Sequence, residues 1–281
     1  MHHATGTGTV EEEHVVTERA GGDQRPALLR AVDIAAGYGR EPIVKGIGLE
    51  VHHGQVALVM GPNGAGKSTF VKAVTGELPL LSGAVYLRGD DVSRWGEERR
   101  AAAGVGYVPQ VRDVFPGLTV QENLEMGGYR LDRVRARERI AKVLDTFPQL
   151  TAFLRRPARQ LSGGERKLVG VARALVPEPE LIILDEPTAN LSPRVAESVL
   201  EQVVTGLSRL NRGVLLIEQR VAVALERADT VLVLVDGRHR HSGPAAELRG
   251  MTDLSDLFFG RALAEDAGPR APRADAGPGA S

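Results

Sequence analysis

The sequence predicts an α/β fold in which a largely parallel sheet is buried beneath helices on both faces. Three observations predict it. Short aliphatic runs at Val56–Met60, Leu181–Leu184, Val214–Ile217 and Val231–Val235 are continuously apolar rather than alternating, the pattern of strands covered on both sides. Stretches of helical pattern lie between these runs. The first run also leads through a glycine-rich loop into the helical segment Phe70–Thr75, a strand–loop–helix order.

The material for such a core is present. Of 281 residues, 42 % are hydrophobic and 25 % charged, the balance of an ordinary globular protein. The 35 basic and 36 acidic residues leave a formal charge of −1, so no general pull toward nucleic acid or anionic lipid is expected. No cysteine is present, which excludes a disulfide scaffold, a thiolate metal site and a cysteine nucleophile. The apolar runs fall far short of the roughly 20 residues needed to cross a bilayer. No basic-then-apolar leader opens the chain. A cytosolic protein that does not cross a membrane by itself is expected.

Residues 1–26 combine Thr and Gly, the acidic run Glu11-Glu12-Glu13 and Gly21-Gly22, and are predicted to be a disordered extension. The folded domain is expected over 27–260. Within it, the span from about 111 to 160 carries helical patterns at Val120–Met126 and Asp132–Phe147 and no buried-strand pattern, so it reads as a helical insertion. Its arginines, Arg133, Arg135, Arg137 and Arg139, spread around a helix with Asp132 and Glu138 among them, a solvated face rather than a nucleic-acid patch. Residues 261–281, rich in Ala, Pro, Gly and Asp, are predicted to be a disordered tail. His2-His3 and His239-Arg240-His241 lack carboxylate or thiolate partners at ligand spacing, so neither is read as a metal site.

The chemistry starts at Gly61, Pro62, Asn63, Gly64, Ala65, Gly66, Lys67, Ser68 and Thr69. This is a phosphate-binding loop in its strand–loop–helix context. Its glycines let the backbone wrap closely around phosphate oxygens, where successive N–H groups and the helix N-terminus stabilise negative charge. Lys67 adds a cation at the β- and γ-phosphates, and the Ser68 hydroxyl suits Mg²⁺. The run Leu181–Leu184 then delivers two carboxylates, Asp185 and Glu186, at a strand's C-terminal end, where open parallel sheets bind ligands. Asp185 can hold Mg²⁺ through its water shell, and Glu186 can reach an attacking water as general base. An edge pair that only caps the following segment is the structural alternative. Ser162, Gly163 and Gly164 open the helical stretch Arg166–Val176 and read as a second anion-binding helix start. Ser162 with Glu165 also fits a capping box, and both readings stand.

These residues carry a resemblance. Over about Leu28 to Phe259 the chain resembles the ATP-binding cassette (ABC) ATPase subunits. Tyr38 falls where the family has its adenine-stacking aromatic, and Gln110 lies in Tyr107-Val-Pro-Gln. The phosphate loop, the Leu161-Ser-Gly-Gly-Glu signature, Asp185-Glu186 and the Asn190-Leu-Ser loop follow in the family's order. The resemblance implies a P-loop NTPase (RecA-like) lobe with an antiparallel β subdomain and a helical subdomain holding the signature. It implies a head-to-tail pair, with a second copy or a related ABC ATPase, in which each ATP lies between one phosphate loop and the other chain's signature.

A closer resemblance is to the ATPases of branched-chain amino acid importers, the second ATPase of the pair above all. Ala36-Gly-Tyr-Gly39, Val44-Lys-Gly-Ile47, the segment Leu118–Tyr129 and Ile217-Glu-Gln219 carry it. Gln219 stands where the broad family has a switch histidine, and Ser192 where many members have Asp. The resemblance implies ATP and Mg²⁺ as cofactors, with Ser68, Gln110 and Asp185 at the metal, Glu186 and Lys67 in catalysis and Gln219 at the γ-phosphate. It implies permease partners at the cytoplasmic face of the membrane and, through them, a solute-binding protein, with no nucleic acid. Cassettes for urea or short amides share these features, and a lipid-exporting cassette stands as a further alternative. A DNA-repair head needs a long coiled coil between loop and signature, where only about ninety residues lie without sustained heptads. A tandem translation cassette needs two sets of motifs, and one is present.

Overall fold

The computed structural model describes residues 27–249 and Phe258, so both expected disordered extensions, residues 1–26 and 261–281, lie outside the described residues. The chain opens with β1 (Leu29–Ala36), β2 (Val44–Val51), β3 (Val56–Met60) and α1 (Lys67–Thr75). Next come β4 (Ser82–Leu87), the two-residue β5 (Asp90–Asp91), α2 (Glu97–Ala102) and β6 (Val105–Val108). Helices α3 (Val120–Gly127) and α4 (Arg133–Thr146), then 3₁₀ turns at Pro148–Phe153 and Ala158–Gln160, lead to α5 (Gly163–Leu175). The remainder alternates β7 (Leu181–Asp185), α6 (Pro193–Arg209), β8 (Gly213–Ile217), α7 (Val221–Leu225) and β9 (Thr230–Val235). It closes on β10 (Arg238–Pro244) and a 3₁₀ turn at Ala245–Glu247.

Among the described residues ten strands form one sheet in the order β5-β4-β1-β2-β10-β9-β3-β8-β7-β6. From β9 to β6 every pairing is parallel. The continuous apolar runs are explained by this half. Val56, Leu58 and Met60 of β3 enter one core cluster, and Ala57 and Val59 the other; β7, β8 and β9 divide their residues in the same alternate way. Both faces of each strand are therefore dry.

The other half is antiparallel: β1 pairs with β2 and β4, β4 with β5, and β10 with β9. A single parallel pair, Arg238 with Lys45, joins β10 to β2. The apolar runs did not reveal these strands. β1 buries Leu29, Ala31, Ile34 and Ala36, but register irregularities between Ala31 and Ala36 break strict alternation. The sheet is thus mixed rather than largely parallel, with the antiparallel part that the family resemblance implied.

Between β6 and α5 the chain is helical. Thr119 begins α3 with a reciprocal capping box to Glu122, and Asp132 caps α4 by accepting from the amides of Val134 and Arg135. Arg133, Arg135 and Arg137 are exposed as expected. Arg139 differs: it turns inward to pair with Glu178, which Lys142 also reaches at 3.2 Å. His239 and His241 lie on β10, and among the described residues no three His, Cys, Asp or Glu side chains cluster as a metal site. No helix among them is long and apolar enough to cross a membrane.

One buried charge fixes α1 from behind. Arg100 is 1 % exposed, and its guanidinium donates to the carbonyls of Ala73 (2.9 Å), Val74, Val92 (2.9 Å), Ser93 (3.2 Å) and Trp95 (3.0 Å). Ala73 and Val74 belong to the last turn of α1, whose carbonyls have no partner within the helix and carry the negative end of its dipole. Burial lowers the guanidinium pKa to about 10, so the cation persists at neutral pH. Arg100→Met strands these carbonyls in a dry site and is expected to destabilise the protein by about 3 kcal/mol, lowering the thermal midpoint by about 6–12 °C. Arg99→Met, which removes a cation stacked at 3.8 Å on the Trp95 ring, is expected to cost less than about 1 kcal/mol. Thermal denaturation of the two variants makes the comparison.

Candidate active site

Strand register assembles the site. Val59 of β3 is level with Ile217 of β8, Ile217 with Asp185 of β7, and Leu184 of β7 with Val108 of β6. The segments leaving these four strands therefore emerge side by side at the carboxyl edge of the sheet. They carry Gly61–Thr69, Glu218-Gln219, Glu186 and Gln110.

The loop after β3 turns into α1 at Gly66, the N-cap, with φ of 93°. A Cβ there would meet Val44 Cγ1 at 2.5 Å, so glycine is required both by conformation and by the approach of β2. No side chain caps α1, and among the described residues the amide N–H groups of Lys67, Ser68 and Thr69 have no acceptor. Lys67 is buried and bends back to donate to the carbonyls of Gly61 (2.8 Å) and Pro62 (3.0 Å). Desolvation lowers its pKa, opposed by the charges of Glu186, Asp185 and Glu218. Asn63, Gly64 and Ser68 form the exposed rim, while Ala65 and Thr69 are buried. Free helix-start amides beside a buried ammonium fit a polyphosphate.

Across the edge, Asp185 ends β7 nearly buried and accepts from the Tyr107 hydroxyl at 3.2 Å. Burial raises its pKa, partly countered by that hydrogen bond. Burial and the neighbouring Asp185 charge push the Tyr107 hydroxyl well above its ordinary value, so it remains a donor. Glu186 is 8 % exposed and has a left-handed backbone, φ 47°, while its amide still donates to Ile217 O at 2.9 Å. Its carboxylate lies between two amide donors: Gln110 Nε2 binds Oε2, and Gln219 Nε2 binds Oε1. The edge-pair alternative, with these acids only capping the next segment, does not describe this arrangement. Ser68 and Asp185 present oxygens suited to Mg²⁺, as does the Gln110 side chain.

Several residues without a sequence-derived role complete the site. Glu218 is 2 % exposed and accepts from Thr188 N (2.9 Å) and Oγ1 (2.7 Å), holding the loop after β7 to the end of β8. Arg220 adds a bond to Leu191 O, and Lys167 donates to Gln110 O at 2.8 Å. Tyr107 and Glu218 stood inside quoted motifs. Glu218 directly follows the run Val214–Ile217, the kind of position that identified Asp185, whereas Tyr107 lies within β6, which was not among the apolar runs.

Tyr38 is 65 % exposed just after β1, with Lys72 Nζ 5.7 Å from its ring centroid. Ser162 is the N-cap of α5 in a reciprocal capping box: its Oγ accepts from Glu165 N at 3.3 Å, and Glu165 Oε2 accepts from Ser162 N at 2.7 Å. A Cβ on Gly163 would meet Leu191 Cδ2 in the loop before α6 at 2.8 Å, and one on Gly164 would meet Val195 Cγ1 of α6 at 3.0 Å, so close packing favours glycine at both positions. No hydrogen bond joins Ser162, Gly163 or Gly164 to residues 61–69 among the described residues. Ser192 precedes α6 without a side-chain cap, ahead of Pro193.

A family model described as ABC transporter matches residues 44–189. The chain belongs to the ABC transporter family. It is 40 % identical over 233 residues to a protein of Archaeoglobus fulgidus named as the probable branched-chain amino acid transport ATP-binding protein LivF, covering 83 % of this chain and 99 % of the relative. The high-affinity branched-chain amino acid transport ATP-binding protein BraG of Pseudomonas aeruginosa is 33 % identical, over 79 % of this chain and 95 % of the relative. The ADP conformation of MJ1267, an ATP-binding cassette of an ABC transporter, superposes with a TM-score of 0.73 at 27 % identity, covering 83 % and 99 % of the two chains. The α/β architecture is accordingly that of a P-loop NTPase, and the chain is an ABC-type ATPase.

The raised Asp185 pKa has a consequence for stability. A carboxyl whose pKa is raised by folding stabilises the fold fully below its ordinary value and loses that contribution as pH rises through the folded value. Asp185→Asn is therefore expected to raise the thermal midpoint of the ligand-free protein at neutral pH. The gain shrinks as pH falls through the raised folded-state value and is gone below the ordinary carboxylate value of about 4. Calorimetry across that range checks it.

Proposed function

We propose that this ABC ATPase drives import of branched-chain, hydrophobic amino acids through separate permease subunits. The clamp of Glu186 between Gln110 and Gln219, beside the phosphate loop, carries the hydrolytic part of the reading. The names of the Archaeoglobus and Pseudomonas relatives support the cargo.

In this reading Tyr38 stacks on adenine, and Lys67 with the free amides of residues 67–69 holds the phosphates. Ser68, Gln110 and Asp185 hold Mg²⁺, which when bound supplies positive charge to the β- and γ-phosphates. Glu186 accepts a proton from water as the water oxygen bonds to the γ-phosphorus; the bond from that phosphorus to the bridging oxygen breaks, giving ADP and phosphate. Gln219 serves as a hydrogen-bond donor at the γ-phosphate and cannot itself take up a proton. Ser162, Gly163 and Gly164 of a second cassette, a copy or a homologue, close over the nucleotide.

Exposed apolar residues after Gln110 and on the helical insertion support a permease contact. Val111 and Phe115 in the segment after Gln110, Met126 on α3 and Tyr129 just beyond it are exposed, Tyr129 by 72 %, and suit an inserted helix from a membrane subunit. The subunit then sits at the cytoplasmic face of the membrane through its permeases, which receive solute from a binding protein.

Glu186→Gln removes the base and keeps the shape. It is expected to lower hydrolysis by about a hundredfold or more and to trap an ATP-bound pair visible by size exclusion, with the partner cassette present if the natural pair is mixed. Wild-type hydrolysis by this variant would remove Glu186 from the role. For the cargo, cells carrying the intact transport system should take up labelled leucine and lose that uptake with Lys67→Ala. Uptake of urea instead would reassign it.

A further inference from the structure

The segment after Gln110 lies along one stripe of α5, marked by Lys167, Gly170 and Arg173 at spacings of three. Lys167 is 9 % exposed; its ammonium donates to Gln110 O at 2.8 Å and lies 3.1 Å from Asp113 Oδ2. The second approach is an ion pair without hydrogen-bond alignment, and Asp113 Oδ2 accepts no other bond. At Gly170 a Cβ would meet Asp113 Cβ at 3.1 Å and Asp113 O at 3.2 Å, so this position leaves room for the loop. Arg173 stacks on Phe115, 5.0 Å from the ring centroid.

Ammonium and carboxylate are both taken from water here, and a buried ion pair is a poor source of net stability. What it supplies is a directional restraint on a backbone carbonyl, that of Gln110, whose side chain reaches Glu186 Oε2. We propose that Lys167 is a positioning residue for hydrolysis, holding Gln110 to α5 and thereby setting the Glu186 carboxylate. The helix whose first turn holds Ser162-Gly163-Gly164 is in this way tied to the base of its own chain. The inference rests on the reading of Glu186 as the base.

The test uses the full-length chain in its assembled transport complex, reading kcat and the Kd of a fluorescent ATP analogue separately. Lys167→Met is expected to lower kcat about tenfold to a hundredfold with Kd changed by less than about twofold. Lys167→Arg, which can still donate to the carbonyl and pair with Asp113, is expected to recover most of the loss. A merely structural lysine predicts loss of folding or of nucleotide affinity, without a kcat-only effect. Wild-type kcat in Lys167→Met, or a loss confined to Kd, would overturn the proposal. If Lys167→Met does not fold, the double variant Lys167→Met/Asp113→Asn, which leaves no buried charge unpaired, replaces it: reduced kcat with Kd unchanged supports the coupling and unchanged kcat refutes it. Glu186→Gln runs alongside. Inactive Glu186→Gln with fully active Lys167→Met sinks this inference alone, whereas active Glu186→Gln sinks the assignment of the base.

Discussion

Val59, Ile217 and Asp185 stand level across three parallel strands, and Leu184 stands level with Val108 on a fourth. This shared register is the constraint on which the site depends. Parallel strands send every chain out of the sheet at the same edge, so residues far apart in sequence arrive together without a dedicated loop to gather them. A shift of one residue in β7 would carry Ile183 and Asp185 together to the other face and break both core clusters at once. Core packing and the geometry of the candidate site are thus specified by the same alternation.

The carboxylates at that edge differ in how fully they are satisfied. Glu218 receives Thr188 N and Oγ1 and lies within reach of the amides of Gln219 and Arg220, so it acts as a structural tie. Glu186 receives two side-chain amides, and Asp185 one phenol. Lys67 stands among the three charges, yet its hydrogen bonds go to loop carbonyls. Burial, with the neighbouring Glu186 charge added to it, raises the Asp185 pKa, and the grouped carboxylates suit a divalent cation. The left-handed backbone of Glu186 belongs to the same economy: a strained residue is retained where its side chain must face the phosphate loop.

Two helices frame this edge, and each is fixed away from the chemistry. Arg100 holds the last carbonyls of α1, leaving the first amides of that helix for a ligand. Helix α5 is capped by Ser162 and Glu165, packed through Gly163 and Gly164, and tied by Lys167 to the Gln110 loop. Exposed Val111 and Phe115 follow Gln110 on the same segment, so a contact there and the Glu186 carboxylate share one short backbone path.

The sequence by itself determined what depends on local order. The four apolar runs become β3, β7, β8 and β9, because strands dry on both faces need continuous hydrophobicity. Residues 61–69 bind one another through neighbouring backbone, so the loop was legible as a string. The Ser162–Glu165 capping box was legible for the same reason. The tertiary structure decided what depends on distant partners. The antiparallel strands β1, β2, β4 and β10 are irregular or half-exposed, and their order in the sheet is set by pairing across the chain. Arg139 was one of a run of surface arginines until the fold brought Glu178 beside it. Gln219 marked a departure from a family pattern, and only the adjacency of β7 and β8 places its amide on Glu186, 33 residues earlier. Lys167 carried no signal at all. A lysine's burial depends on which loop covers it, and that loop is 57 residues away.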